Sequence, residues 1–172
     1  VGGGRIKHTL TGHTDKAFAV CFNGADPTKA VSCAADRTIK VWDLTKGYCI
    51  RTMMCHSTCN TVCVSADGST VCSGHFDGAI RFWDLRKGEM MSEATGLHAQ
   101  QITSVALAPN GLEVLTNSRD NCIKISDTRT FQASKTLKSP TYHSGMNWSR
   151  ACFSPDGCQV AAGGADGHLY IW

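Results

Sequence analysis

An aspartate followed six residues later by a tryptophan returns along the chain at a nearly fixed interval: Asp36 with Trp42, Asp77 with Trp83, and Asp166 with Trp172. Asp120 keeps the interval although Ser126 stands where its tryptophan belongs, so the steps between aspartates are 41, 43 and 46 residues. Such a period marks a chain that lays down one supersecondary unit several times, each unit burying its apolar face only against its neighbours. Runs such as Thr38-Ile39-Lys40-Val41-Trp42-Asp43-Leu44 alternate apolar and polar residues as strands do. Turn signals such as Asp67-Gly68, Asp77-Gly78, Asn110-Gly111 and Asp156-Gly157 separate them. No helical period is present.

The residue types around each aspartate suit a buried hydrogen-bond chain. In the first unit His13, Ser32, Asp36 and Trp42 are expected to link in series, with the indole N–H as terminal donor and the carboxylate accepting from the histidine and from turn amides. A buried carboxylate is tolerated only when fully paired, so the chain of bonds would fix loop, turn and strands in one arrangement. The second unit keeps Ser73, Asp77 and Trp83, with Cys55 in the histidine's register and His56 displaced by one. The third keeps His98, Thr116 and Asp120. The fourth keeps Asp166 and Trp172, with Ala162 at the hydroxyl position and His143 one residue early. The complete first unit is therefore expected to be the stiffest and the fourth the loosest. Ser, His and Asp also make catalytic triads, but no G-x-S-x-G elbow surrounds any serine, and no paired carboxylates or phosphate loop are found; a catalytic role is not expected.

The repeat resembles the WD40 unit, a four-stranded propeller blade of about 40 to 45 residues. The fold class expected from that resemblance is all-β: a WD40 β-propeller with about four four-stranded antiparallel blades of a seven-bladed ring. Within a single repeat domain over 1–172, residues 5–11 read as the outer strand of a preceding blade. Blade one covers 17–54, blade two 59–94, blade three 102–137, and blade four 148–172 without its outer strand. A four-bladed ring closed by the strand Arg5 to Leu10 is the alternative. The absence of an initial Met and the end at Trp172 point to a piece of a longer protein.

A net charge of +3, with Lys and Arg scattered, gives no nucleic-acid footprint. No apolar run approaches the roughly 18 residues of a membrane helix, and Val1-Gly2-Gly3-Gly4 does not open a signal peptide. Of the ten cysteines, Cys21, Cys33, Cys63, Cys72, Cys122 and Cys152 are expected to pack in strands as small hydrophobes, a usage that suits a reducing cytosol. The run Cys55-His56-x-x-Cys59-x-x-x-Cys63 lacks zinc-finger spacing, so neither a metal nor a cofactor is assigned.

Longer strings narrow the family. His8-Thr9-Leu10-Thr11-Gly12-His13-Thr14-Asp15-Lys16, Ser73-Gly74-His75-Phe76-Asp77-Gly78 with Arg81-Phe82-Trp83-Asp84, Asn147-Trp148-Ser149-Arg150 leading into Phe153-Ser154-Pro155-Asp156-Gly157, Val160-Ala161-Ala162-Gly163 and Leu169-Tyr170-Ile171-Trp172 resemble the C-terminal WD40 domain of autophagy-related protein 16 in a plant-like form. The resemblance implies a cytoplasmic scaffold that binds proteins or peptides, including autophagy machinery. It also implies peripheral, indirect recruitment to the autophagosome precursor membrane. It places partners where the inner strands start, at Phe18, Asn60, Thr103 and Ser149, and just before each turn aspartate, at Ala35, Phe76, Arg119 and Ala165. Phe18, Phe76 and Arg119 stand out as anchor types. A rival reading is a substrate receptor of a cullin-type ubiquitin ligase, on the WD-x-R string Trp83-Asp84-Leu85-Arg86 and its partial copy Asp127-Thr128-Arg129.

Overall fold

The computed structural model describes residues 4–172; Val1 to Gly3, part of the single domain read from the sequence, lie outside the described residues. Among the described residues, fifteen strands form four antiparallel sheets, each in chain order. The first holds β1 (Ala17–Phe22), β2 (Lys29–Ala34), β3 (Thr38–Asp43) and β4 (Tyr48–Met54). The second holds β5 (Cys59–Val64), β6 (Thr70–His75), β7 (Ile80–Asp84) and β8 (Met90–Ala94). The third holds β9 (Ile102–Leu107), β10 (Glu113–Ser118), β11 (Ile123–Asp127) and β12 (Ala133–Leu137), and the fourth β13 (Ala151–Phe153), β14 (Val160–Gly163) and β15 (Leu169–Ile171). Hairpin connections explain the simple order, since antiparallel neighbours need only a tight turn. After each motif aspartate the chain turns through a left-handed residue: Arg37, Gly78, Asn121 and Gly167. At Arg37 that conformation costs about 1 kcal/mol that glycine would avoid.

Apolar faces pack sheet on sheet. Val31, Ile39, Met53, Val71 and Trp83 join the first two sheets. Ile80, Phe82, Ile102 and Val114 join the second and third, and Leu115, Ile123, Tyr142 and Val160 join the third and fourth. The inner strands β1, β5, β9 and β13 converge around an open hollow of about 470 Å³ lined in part by Val20, Thr61, Ser104 and Arg150. Three of them start with a one-residue bulge: Phe18, Asn60 and Thr103 are skipped in the pairing with β2, β6 and β10. A bulged residue is re-aimed out of the pleat, so these positions point apart from their neighbours.

Two expectations need correction. Residues 5–11 form no strand. They run beside the first sheet, with the His8 ring against Gly47, and add no strand to the fourth sheet; a segment with no strand beside it has no ladder partner for its backbone groups. The ordering of stiffness also changes. The first sheet has the full hydrogen-bond chain, yet one face of β1 is open, with Val20 and Phe22 about 70 % exposed (71% and 72%), whereas sheets two and three are packed on both sides. Covered apolar area outweighs one extra hydrogen bond, which contributes only about 1 kcal/mol net. Amide exchange is therefore expected to be slowest in β6 and β10, faster in β1 by roughly tenfold or more, and fastest in the exposed β12 and β15. Equal protection of β1 and β6 in an exchange experiment would contradict this.

Candidate functional site

The four residues of the first motif meet. His13 Nδ1 lies 2.9 Å from Asp36 Oδ2, His13 Nε2 lies 2.7 Å from Ser32 Oγ, and the Trp42 indole N–H donates to Ser32 Oγ at 2.8 Å. One tautomer satisfies the whole series: the indole donates to the serine oxygen, the serine hydroxyl to Nε2, and Nδ1–H to the carboxylate. Asp36 also accepts from the Thr14 and Thr38 amides and the Thr38 hydroxyl. Burial by itself would raise its pKa, but these donors together prevail and hold it at about 2.

The second sheet solves the problem differently, against expectation. Cys55 does not replace the histidine: it lies among apolar side chains, and His56 is exposed. His75, two residues beyond Ser73 on the same strand and fully buried, supplies the ring instead. Its Nε2 is 2.8 Å from Ser73 Oγ, which also receives the Trp83 indole N–H at 2.8 Å, and its Nδ1 faces the Ser57 carbonyl at 3.3 Å. Period-two spacing in Ser73-Gly74-His75 was the available signal, because residues i and i+2 share a strand face. Asp77, without a loop histidine, pairs with Arg81 at 2.8 Å, and Arg81 also reaches Glu93 at 2.5 Å. Burial disfavours the charge on Asp77, yet the Arg81 and Ala79 bonds hold its pKa below the ordinary carboxylate value.

In the third sheet His98 bridges Asp120 at 3.0 Å and Thr116 at 2.8 Å. The lost indole has a packing counterpart. In the first unit Gly12 lies so close to Trp42 that a β-carbon on it would sit 3.4 Å from the ring. In the third, Leu97 takes that glycine's place and is buried with Val114, whose partner across the ladder is Ser126. A glycine–indole pair has become a leucine–serine pair of smaller combined bulk. In the fourth sheet Ala162 has no hydroxyl to offer. Asp166 instead accepts from the Tyr170 hydroxyl at 2.6 Å and lies 2.9 Å from His168 Nδ1, while Trp172 stacks on Tyr170. His143 contributes its backbone carbonyl, to the Ala165 amide. The connection before β13 inserts Tyr142, 1% exposed, between sheets three and four and bonds its hydroxyl to Asn117.

Among the cysteines, Cys33, Cys55 and Cys59 come together in the seam between the first two sheets; burial first, then the neighbouring thiols, push the Cys59 thiol well above its ordinary pKa. Such thiols pack rather than react. Cys122 lies just outside a strand and Cys152 is exposed, unlike the buried strand positions expected for both. Ala151 and Phe153 turn one face of β13 to the core, and strand alternation leaves Cys152 on the other.

The two sets of positions expected at a docking face lie side by side in the first three sheets; in the fourth, Ala165 bonds to His143, six residues ahead of Ser149. The amides of Ala35, Phe76, Arg119 and Ala165 bond to the carbonyls of Lys16, Thr58, Gln101 and His143 in the loops that precede the inner strands. Their side chains differ in access. Phe18 and Phe76 are exposed, Ser149 is half-buried, and Arg119 is half-buried with one guanidinium nitrogen on Asn147. Asn60 and Thr103 are buried and bonded internally, Asn60 to the Ile102 carbonyl and Gln101, Thr103 to the Asn117 carbonyl. These two bulge residues join neighbouring elements and offer no contact surface. Trp148, missing from the expected set and 72% exposed, adds a third aromatic in the loop just ahead of Ser149. In the WD-x-R string, Trp83 and Leu85 are buried and Asp84 caps its own turn through the Arg86 and Lys87 amides, so only Arg86 is free of an internal role.

A family model described as "WD domain, G-beta repeat" matches residues 4–43, 47–84, 94–127 and 134–172. The chain is 49% identical over its full length to Autophagy-related protein 16 of Arabidopsis thaliana, covering 34% of that protein. It is 46% identical over 98% of its length to Protein tipD of Dictyostelium discoideum, covering 28% of it. Autophagic-related protein 16.2 of Caenorhabditis elegans is 31% identical over 98% of the chain, which covers 31% of that relative. The chain thus spans about a third of the length of the relatives it matches.

Two outcomes follow from the network geometry. Burial first, and then the Arg81 cation, lower the His75 pKa from 6.5 to about 4. The unfolded chain therefore binds a proton near pH 6.5 that the native state refuses until about pH 4. Stability is complete above pH 6.5 and falls as pH descends through that window, by on the order of 2 kcal/mol between pH 7 and 5. Urea unfolding at the two pH values should show the drop, and His75→Gln should flatten it; an unchanged slope in the variant would refute the assignment. In the third sheet, Ser126→Trp should destabilise by about 1–3 kcal/mol through overpacking, and adding Leu97→Gly should recover part of the loss. Additivity of the two changes within about 0.5 kcal/mol in a denaturant cycle would show that the sites do not exchange volume.

Proposed function

The chain belongs to the WD domain, G-beta repeat family, and on that premise we propose that it is a non-catalytic docking platform of an autophagy protein, receiving partner proteins or peptides on its aspartate-turn face. Through those partners it helps bring ubiquitin-like conjugation machinery to autophagosome membranes from the cytoplasm, as a peripheral and indirect membrane associate. The observation that carries the scaffold reading is the internal bonding of the groups that resemble a catalyst: the His13, Ser32 and Asp36 side chains, and their counterparts in the second and third sheets, are bonded to one another or to their own turns, and in the more exposed fourth sheet Asp166 is bonded to Tyr170.

Exposed aromatics on the same face support docking there. Phe18, Phe76 and Trp148 are exposed, and Arg119 bonds to Asn147, the residue before Trp148; aromatic and arginine side chains dominate binding energy in protein interfaces. The autophagy assignment rests on the likeness to autophagy-related protein 16 across the whole chain. The ligase-receptor alternative has less support, because three of the four residues in its string already have internal roles.

The Phe76→Ala, Arg119→Ala double variant of the full-length protein should capture partners about tenfold more weakly or worse, the loss expected when anchors contributing 1.4 kcal/mol or more are removed. Its melting temperature should stay within a few degrees of the parent, since neither side chain is in the core. Co-precipitation of partner proteins from cell extract with the parent and with the variant, quantified side by side, makes the measurement. Undiminished capture by a folded variant would move the docking site elsewhere.

A further inference from the structure

Neighbouring sheets meet at three seams, and at the ends remote from the aspartate turns these seams are finished differently. Between sheets one and two, Asn23 is buried and its Nδ2 donates to the Gly68 carbonyl at 3.2 Å. It fills the seam so closely that a β-carbon on Gly68 would come within 2.3 Å of Asn23 Oδ1. Between sheets three and four, Pro109 lies in contact range of Gly157, 3.6 Å from where a β-carbon would stand.

The middle seam has no such closure. Ser65 is the counterpart of Asn23, its amide bonding to the Thr70 carbonyl as that of Asn23 bonds to the Lys29 carbonyl. Its side chain is too short to cross. The hydroxyl turns back to Asp67 at 2.5 Å and accepts the Thr70 amide. Gly111, the counterpart of Gly68, faces nothing within 4 Å. What remains is a groove of about 470 Å³ lined by Phe82, Met91, Leu107 and Pro109, with Asp67 at its edge. Met91 is the extra residue of a bulge in β8, skipped between Phe82↔Ser92 and Trp83↔Met90, which leaves it 53% exposed.

We propose that this middle seam is a second docking site, for a linear segment of a partner protein that inserts one bulky apolar side chain and sets an adjacent lysine or arginine against Asp67. The volume falls within the range of small binding pockets. The lining is aromatic, aliphatic and thioether, and methionine adapts its shape to varied apolar guests. The polarity of the guest follows from Asp67: its carboxylate is exposed and in no ion pair among the described residues. An opposite charge there orients the guest, and a like charge repels it.

The test uses fluorescein-labelled eleven-residue Gly/Ser peptides with a central tryptophan followed by two lysines, by two glutamates, or replaced by alanine, titrated against the full-length protein by fluorescence anisotropy. Saturable binding of the tryptophan–lysine peptide is expected, with at least threefold weaker binding of the glutamate version and of the parent peptide to Asp67→Asn. Ser65→Asn, which restores the reach of Asn23 to the opposite turn, should bind at least tenfold more weakly while melting at or above the parent temperature. The Phe76→Ala, Arg119→Ala variant should bind like the parent, which separates this seam from the aspartate-turn face. No saturable binding, equal affinity for Ser65→Asn, or equal affinity of the alanine peptide would overturn the proposal.

Discussion

A carboxylate drawn into a protein must meet donors from several directions at once, and in this chain those donors come from segments far apart in sequence. Asp36 accepts from the loop at His13 and Thr14 and from the next strand at Thr38, and the histidine passes the constraint on to Ser32 and the Trp42 indole. Displacing any one element leaves a buried group unpaired, at a cost of about 1–3 kcal/mol and more for a charge. The network therefore locks loop, turn and two strands, β2 and β3, together and gives the first sheet a fixed edge against which its neighbour packs.

The four sheets meet this constraint with four sets of partners, and the variation has consequences outside the network. Arg81 takes over from a loop histidine in the second sheet and brings Glu93 with it. In the third, Leu97 stands where the first unit has Gly12 and is buried with Val114. In the fourth, Tyr170 supplies the donor that Ala162 cannot hold in place, and Tyr142 from the long connection fills the seam behind it. Each repair consumes polar groups internally. Among the features left at the surface are Phe18, Phe76 and Trp148 in the turns and inner-strand starts, and the unfilled middle seam.

Much of the scaffold was legible because it depends on period. The interval between Asp36, Asp77, Asp120 and Asp166 predicted the blade fold, and alternation located strands such as β3, whose members pair with β2 along a regular ladder. The segment 5–11 reads as a strand and forms none, because alternation reports a strand's chemistry without reporting whether a partner lies beside it. His56 and Cys55 were weighed for the second unit because register counts positions along the chain; His75 reached Ser73 by sharing a strand face. Asn60 and Thr103 were placed at the docking face by register too, and the bulges at the starts of β5 and β9 turned them inward.

By itself the sequence determined the number of units, their antiparallel strands and the turn at each aspartate, since these rest on local spacing and on residues within one repeat. Which side chain completes each network, whether a bulge residue faces a partner or a neighbouring sheet, and which seam stays open were decided only when the sheets packed. Those outcomes depend on whether a side chain spans the few ångströms to another repeat: Asn23 reaches Gly68 and Ser65 stops short of Gly111. No property of one repeat read alone specifies that distance.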